Sequence, residues 1–201
     1  AGNQLYAQGC VAIRGVAGVC GRPANAKGWD MNINNRYFKS YKHFVGTEEQ
    51  KERVENGSQV INHSYELDIT ATRTFNARWS VGMTLPIMSF GRSSLYEHDR
   101  QNRYSTHSFG IGDIRVAAYR WIFDPAKSHK GNVQLGLGIK LPTGVYNYQD
   151  YFYKKTDSSI LGPVDQSIQP GDGGTGISVE LNSFYNFNHR LGAYGSFFYL
   201  I

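Results

Sequence analysis

The sequence predicts an all-β fold, a transmembrane antiparallel up-and-down β-barrel, and three observations carry that prediction. Apolar and polar residues alternate in segments of roughly 9–11 residues, the length of a tilted strand crossing a bilayer. The connections between these segments are alternately short and long. No run of about 18 apolar residues occurs, which excludes a membrane-spanning helix but not a barrel, whose strands are polar at every second position.

The alternation is clearest from Val133 to Leu141. Val133, Leu135, Leu137, Ile139 and Leu141 share one face, and Gln134, Gly136, Gly138 and Lys140 share the other. The first strand is expected near residues 29–41, with Met31, Ile33 and Tyr37 opposite Asp30, Asn32, Asn34 and Arg36. The second, about 61–75, turns Tyr65, Leu67, Ile69 and Ala71 outward and Glu66, Asp68, Thr70 and Thr72 inward. Asn76-Ala77-Arg78 is a hairpin turn in which Asn tolerates positive φ. It leads to a third strand with Trp79, Val81, Met83, Leu85 and Ile87 on one face. A fourth strand is expected at about 109–123, a turn at 124–132, and the fifth strand from Val133. The sixth and seventh strands, 177–187 and 191–201, are joined by Asn188-His189-Arg190.

Short turns of such barrels face the periplasm and long loops face outside. The N-terminus is therefore expected in the periplasm of a Gram-negative bacterium. Residues 1–28 read as an irregular N-terminal periplasmic segment. Residues 29–201 read as barrel strands with long extracellular loops at 42–60, 90–108 and 145–175. In the first loop the charged run Glu48 to Arg53 carries no apolar stripe and reads as a solvated loop, with a short helix as the alternative. Seven strands is an odd number, so the sequence is expected to cover an incomplete barrel.

Cys10 and Cys20 are separated by nine residues, too far for a CxxC redox pair. In an oxidising periplasm a disulfide closing a small ring is expected, stabilising by roughly 3 kcal/mol at most; two free thiols are the other reading. The formal charge is +5, but Lys and Arg are scattered and no nucleic-acid motif appears. Basic loops beside lipopolysaccharide or phosphate groups explain the charge better. The 14% aromatic content suits interfacial girdles, and would equally suit a soluble β-sandwich.

Three phrases carry a family resemblance: Gly110-Ile111-Gly112-Asp113, Gly138-Ile139-Lys140-Leu141-Pro142-Thr143-Gly144, and Gln169-Pro170-Gly171-Asp172-Gly173-Gly174. In this order and at strand ends, they resemble the outer-membrane channel family associated with the meta-pathway of phenol degradation, over roughly residues 65–201. The resemblance implies a barrel larger than seven strands and passage of small aromatic or hydrophobic compounds. Independently of it, Pro142 belongs where a strand leaves its sheet, because it cannot donate to the ladder.

The predicted inward face collects Asp30, Arg36, Glu66, Asp68, Asp113, Arg115, Lys140 and Glu180. Charges at membrane depth must face water or each other. Two readings follow: a wet lumen that selects by charge, or an ion-paired lattice that plugs the barrel. Tyr146, Tyr148, Tyr151 and Tyr153 are expected at the extracellular mouth, to meet an aromatic ligand or to pack the loop. Of the six histidines, His43, His63, His98, His107, His129 and His189, nearly all fall in loops, turns or strand ends, where a solvated imidazole is the default, and none has an obvious serine–carboxylate arrangement, so no enzyme is expected. No cofactor and no metal are expected. The leading function is passive uptake of small solutes, hydrophobic or aromatic ones included. The alternatives are a non-conducting structural barrel in a larger assembly and a soluble secreted β-sandwich binding protein. Expected partners are the lipid bilayer, lipopolysaccharide and a small-molecule solute, with a homo-oligomer or membrane complex as a further option and no nucleic acid.

Overall fold

The computed structural model describes residues 27–128, 130–155, 158–188 and 190–201. The expected Cys10–Cys20 disulfide falls, with nearly all of the N-terminal segment, outside the described residues. In chain order the elements are β1 (Gly28–Ser40), β2 (Phe44–Val45), β3 (Glu48–Glu49), α1 (Lys51–Glu55), β4 (Ile61–Thr74), β5 (Trp79–Ser94), β6 (Tyr104–Ile111) and β7 (Arg115–Trp121). They continue with β8 (Gly131–Lys140), β9 (Gln149–Lys155), β10 (Ser158–Pro163), a 3-10 turn (Gln166–Ile168), β11 (Gly176–Asn186) and β12 (Gly192–Leu200).

The main sheet runs β1-β4-β5-β7-β8-β11-β12, all antiparallel, with β6 beside β5 as well. It is a meander curled into a half-barrel. The long strand β5 pairs with β7 through Trp79–Thr84 and with β6 through Ile87–Ser94. Strands β6 and β7 are thus two halves of one wall strand, interrupted at residues 112–114.

The faces are inverted relative to a water-soluble sheet. Leu137 is 62% exposed on the outside, whereas Glu180 on the concave side is 0% exposed. Met83, Leu135, Ile139, Ile177 and Phe197 share the exposed outer face; Ser64, Asp68, Thr84, Arg115, Gln134, Lys140 and Ser178 are buried on the inner one. Toward the short turns the outer face carries paired aromatics and cations. Arg73 lies over Trp29, Arg120 over Trp79 and Lys130 over Tyr185, at 5.3–5.7 Å from the ring centres.

Two short turns use one device. The side-chain oxygen of Asn76 accepts from the backbone N–H of Arg78 and Trp79, at 2.9 and 3.0 Å. Asn188 does the same for Arg190 and Leu191, at 2.8 and 2.9 Å. The expected positive φ at Asn76 is not found: among the described residues Arg100 alone, apart from glycines, has one. Asparagine closes these hairpins by mimicking a backbone acceptor, not by visiting the left-handed region.

Three connections differ from expectation. The charged run after β1 is structured, with the β2/β3 hairpin and the single helical turns of α1. The fourth wall strand starts at Tyr104, so the preceding loop shortens to 95–103. The long connection between β8 and β11 contains the β9/β10 hairpin and the 3-10 turn, and it folds back over the concave face. There Val164 and Ile168 pack on Met88 and Phe90, with Tyr148 against them.

Candidate functional site

The three glycine-containing motifs lie far apart in sequence and meet at the interruption between β6 and β7. With the ladder broken there, the Gly112 N–H and the Ile114 carbonyl keep backbone partners, Pro86 and Leu141, and the other two groups of these residues are taken by a side chain. The Ile114 N–H donates to Thr143 Oγ1 at 2.8 Å, and that hydroxyl donates to the Gly112 carbonyl at 3.0 Å. Asp113 points inward and is 5% exposed. Its carboxylate accepts from the Gly144 N–H (2.9 Å), the Asp172 N–H (3.2 Å) and Lys140 Nζ (3.4 Å). Lys140 also donates to the Asp172 carboxylate. Each motif supplies one part: Gly112-Asp113 the acceptor, Lys140 to Gly144 the cation and an N–H, Gly171-Asp172 the returning chain. Gly171 N–H donates to the Val145 carbonyl at 3.0 Å, which fixes both ends of the connection side by side.

Deeper in the wall, Arg115 forms a buried ion pair with Glu180, and Tyr119 Oη donates to the same carboxylate at 3.1 Å. The Arg115 guanidinium also lies 5.3 Å from the Phe198 ring centre. This cluster explains Gly136. A Cβ there would stand 2.8 Å from the Tyr119 ring, so glycine leaves the room that lets Tyr119 lie across β8 and reach Glu180 on β11. On β1 and β4, Arg36 pairs with Glu66 and lies 3.6 Å from Asp68. Seven of the eight predicted inward charges therefore fall into three ion-pair groups; Asp30, near the β1 start, is exposed but engaged in an interaction of its own.

A fourth group was not singled out in the sequence. Arg92, 7% exposed, donates to Glu97 at 2.7 and 2.9 Å and to Asn62 and Ser167, and lies 3.3 Å from Asp165. It joins β4, β5, the 95–103 loop and the returning connection. Its contact with Ser167 spans 75 residues and leaves no local signal. Asp165 also orders the 3-10 turn, accepting from the Ser167 N–H at 2.9 Å.

At the long-loop end the four tyrosines do different things. Tyr146 is exposed beside Gly173, and Tyr151 is exposed on β9. Tyr148 is packed on the Ile168 cluster, and its N–H donates to Gln169 at 2.7 Å. Tyr153 stacks on Tyr104 with ring centres 4.8 Å apart. His98 lies among Tyr104, Phe152 and Tyr153 and is 4% exposed, so its reading as a solvated loop residue is overturned. Its Nδ1 accepts from the Tyr153 N–H at 3.1 Å. Burial pulls the imidazole below its ordinary pKa; Lys154 adds to this, while Glu97, Asp99 and Asp150 oppose it.

Among the described residues no group of three or more His, Cys, Asp or Glu side chains is placed to hold a metal. What the arrangement presents is a charged inner wall with a connection clamped across it.

Fold and site together define a meandering β-barrel-type protein whose longest connection is anchored inside the wall. The chain belongs to the family described as Putative MetA-pathway of phenol degradation, whose model matches residues 54–190. That span contains all three motifs and the whole clamp. Comparison with curated proteins found no match.

Proposed function

We propose that this protein is a channel of the bacterial outer membrane that passes small solutes passively, aromatic or hydrophobic ones included, and that it is not an enzyme. The observation that carries the reading is the inversion of the sheet. Large aliphatic side chains are exposed along the outer face, while carboxylates, guanidiniums and amides line the inner one. A bilayer stabilises that arrangement and water does not. The aromatic–cation pairs near the short turns suit a membrane interface, with the N-terminal side in the periplasm and the long connections toward lipopolysaccharide. Several inner-wall atoms have no protein partner, among them Asp68 Oδ1, Thr106 Oγ1 and Ser178 Oγ, and a wet lumen would satisfy them. The family description supports an aromatic solute.

The closed ion pairs Arg115–Glu180 and Lys140–Asp172 favour a second reading, a sealed structural barrel within a larger membrane assembly. The β-sandwich alternative fits less well. It needs its covering layer on the apolar face, whereas the connection seen here covers the polar one.

The test is planar-bilayer conductance of the full chain, purified in detergent. Discrete current steps are expected. A stably inserted protein that gives none overturns the channel in favour of the sealed barrel.

A further inference from the structure

The connection between β8 and β11 is long, but it does not extend freely from the wall. Its returning part, residues 164–172, is held against the concave face by several contacts along its length. Ile168 is 0% and Val164 4% exposed on the Met88–Phe90 surface. Ser108 Oγ on β6 donates to the Ile168 carbonyl. Asp165 lies 3.3 Å from Arg92 on β5. Asp172 is bound through its N–H to Asp113 and through its carboxylate to Lys140. Pro170 fits against two glycines of the interrupted strand: a Cβ on Gly112 would stand 3.0 Å from the Pro170 carbonyl oxygen, and one on Gly110 3.8 Å from the Pro170 ring.

The charge of this segment is distinctive. The chain as a whole carries +5, yet from residue 156 to residue 189 it contains no Lys or Arg and four acids: Asp157, Asp165, Asp172 and Glu180. The segment on the concave face carries Asp165 and Asp172 alone. The wall meets each with one cation and one further carboxylate: Arg92 and Glu97 for Asp165, Lys140 and Asp113 for Asp172. Counting these side chains, each group has one carboxylate in excess; Lys154 Nζ, which donates to the Glu97 carbonyl at 2.7 Å, borders the first group. The carboxylates belonging to the segment are also the accessible ones: Asp172 is 57% and Asp165 39% exposed, against 7% for Asp113 and 15% for Glu97.

Resting on the channel reading, we propose that residues 164–172 form the constriction of the lumen and that Asp165 and Asp172 make it prefer cations and cationic solutes over anions. The mechanism is electrostatic. Fixed carboxylates on a low-dielectric wall raise the local concentration of cations and lower that of anions, as acidic rings do in cation pores. The apolar anchor at Ile168 sets where the segment sits, and the two carboxylates set the sign of what passes. A basic protein would thus conduct cations, the opposite of what its net charge suggests.

The experiment is the reversal potential of the full chain in a planar bilayer across a KCl gradient, for the wild type and for Asp165→Asn and Asp172→Asn singly and together. The wild type is expected to favour K⁺ over Cl⁻, and each substitution to lower the permeability ratio by about twofold or more. Because Asp172→Asn touches the clamp, a second readout avoids that group. Gln166→Cys, at an exposed position of the segment, is treated in the bilayer with a cationic thiol reagent, with treated wild type as the control for Cys10 and Cys20. Current through Gln166→Cys is expected to fall and its K⁺ preference to weaken. Steps that are anion-selective, or unchanged both by the Asn substitutions and by labelling, overturn this proposal and leave the channel standing. Stable insertion without any steps overturns the channel itself.

Discussion

Gly144 and Gly171 meet backbone against backbone. A Cβ on Gly171 would stand 2.6 Å from the Gly144 carbonyl carbon, and one on Gly144 2.7 Å from the Gly171 Cα. Neither contact involves a side chain that can swing away, so the crossing admits no larger residue without moving the chain. Gly171→Ala is expected to destabilise the folded protein by about 1–3 kcal/mol and to expose the connection. Thermal unfolding together with limited proteolysis across residues 145–175 checks this; unchanged cleavage and melting would count against the clamp.

Glu180 and Arg115 test whether the inner wall is held by compensated charge. Glu180→Ala leaves a buried guanidinium beside Phe198 without its carboxylate, and is expected to cost about 3–5 kcal/mol. Arg115→Met combined with Glu180→Leu removes both charges and is expected to recover much of that loss. The comparison is by heat-induced unfolding in detergent, followed on gels. A double variant no better than the sum of its singles would show that the pair is not coupled.

His98 gives the long-loop end a dependence on pH. Its folded form accepts the Tyr153 N–H at Nδ1, so it is the neutral ring. Since burial holds the imidazole below its ordinary value of about 6.5, a detached or unfolded loop takes up the proton first. The contribution of His98 is therefore complete above pH about 6.5 and is lost as pH falls from there toward the folded value. Proteolysis of the β9/β10 hairpin should rise over that interval. His98→Asn should flatten the profile; a profile that persists unchanged in this variant overturns the assignment to His98.

Leu137 lies midway along β8 on the outer face. If that face meets hydrocarbon, Leu137→Arg costs about 2–4 kcal/mol of folding in lipid. Folding into phosphatidylcholine vesicles, read by gel mobility, is expected to fall sharply for this variant. The same substitution should be nearly silent if the face meets water.

Strands and faces were legible because one rule, alternation with a period of two, sets both. The Val133–Leu141 run fixed β8 and identified Lys140 as inward, and the same reading brought Asp113, Arg115 and Glu180 to one side. Their partners were not legible. Lys140 meets Asp172 across 32 residues and Arg92 meets Ser167 across 75, distances over which sequence pattern carries no information about contact. The start of β6 was hidden for another reason. Ser105, Thr106, His107 and Ser108 put no large apolar side chain on either face; Thr106 and Ser108 are the buried ones, and Ser108 Oγ meets the backbone carbonyl of Ile168. His98 was misread because its loop is charged on both sides, and only the packing of Tyr104, Phe152 and Tyr153 removes it from water.

The break between β6 and β7 separates two jobs that a continuous strand would merge. Hydrogen bonding of the wall resumes on either side of it, so the scaffold does not depend on what hangs from the gap. The gap itself works as a mounting bracket: its fixings are Asp113, Thr143 and the Gly144–Gly171 crossing, all at the roots of the connection. Between those roots Val164, Asp165 and Ile168 tie the returning chain to the wall, so the stretches outside these anchors can change while the bracket stays the same. On the channel reading, solute preference would be set by that insert and not by the wall that carries it.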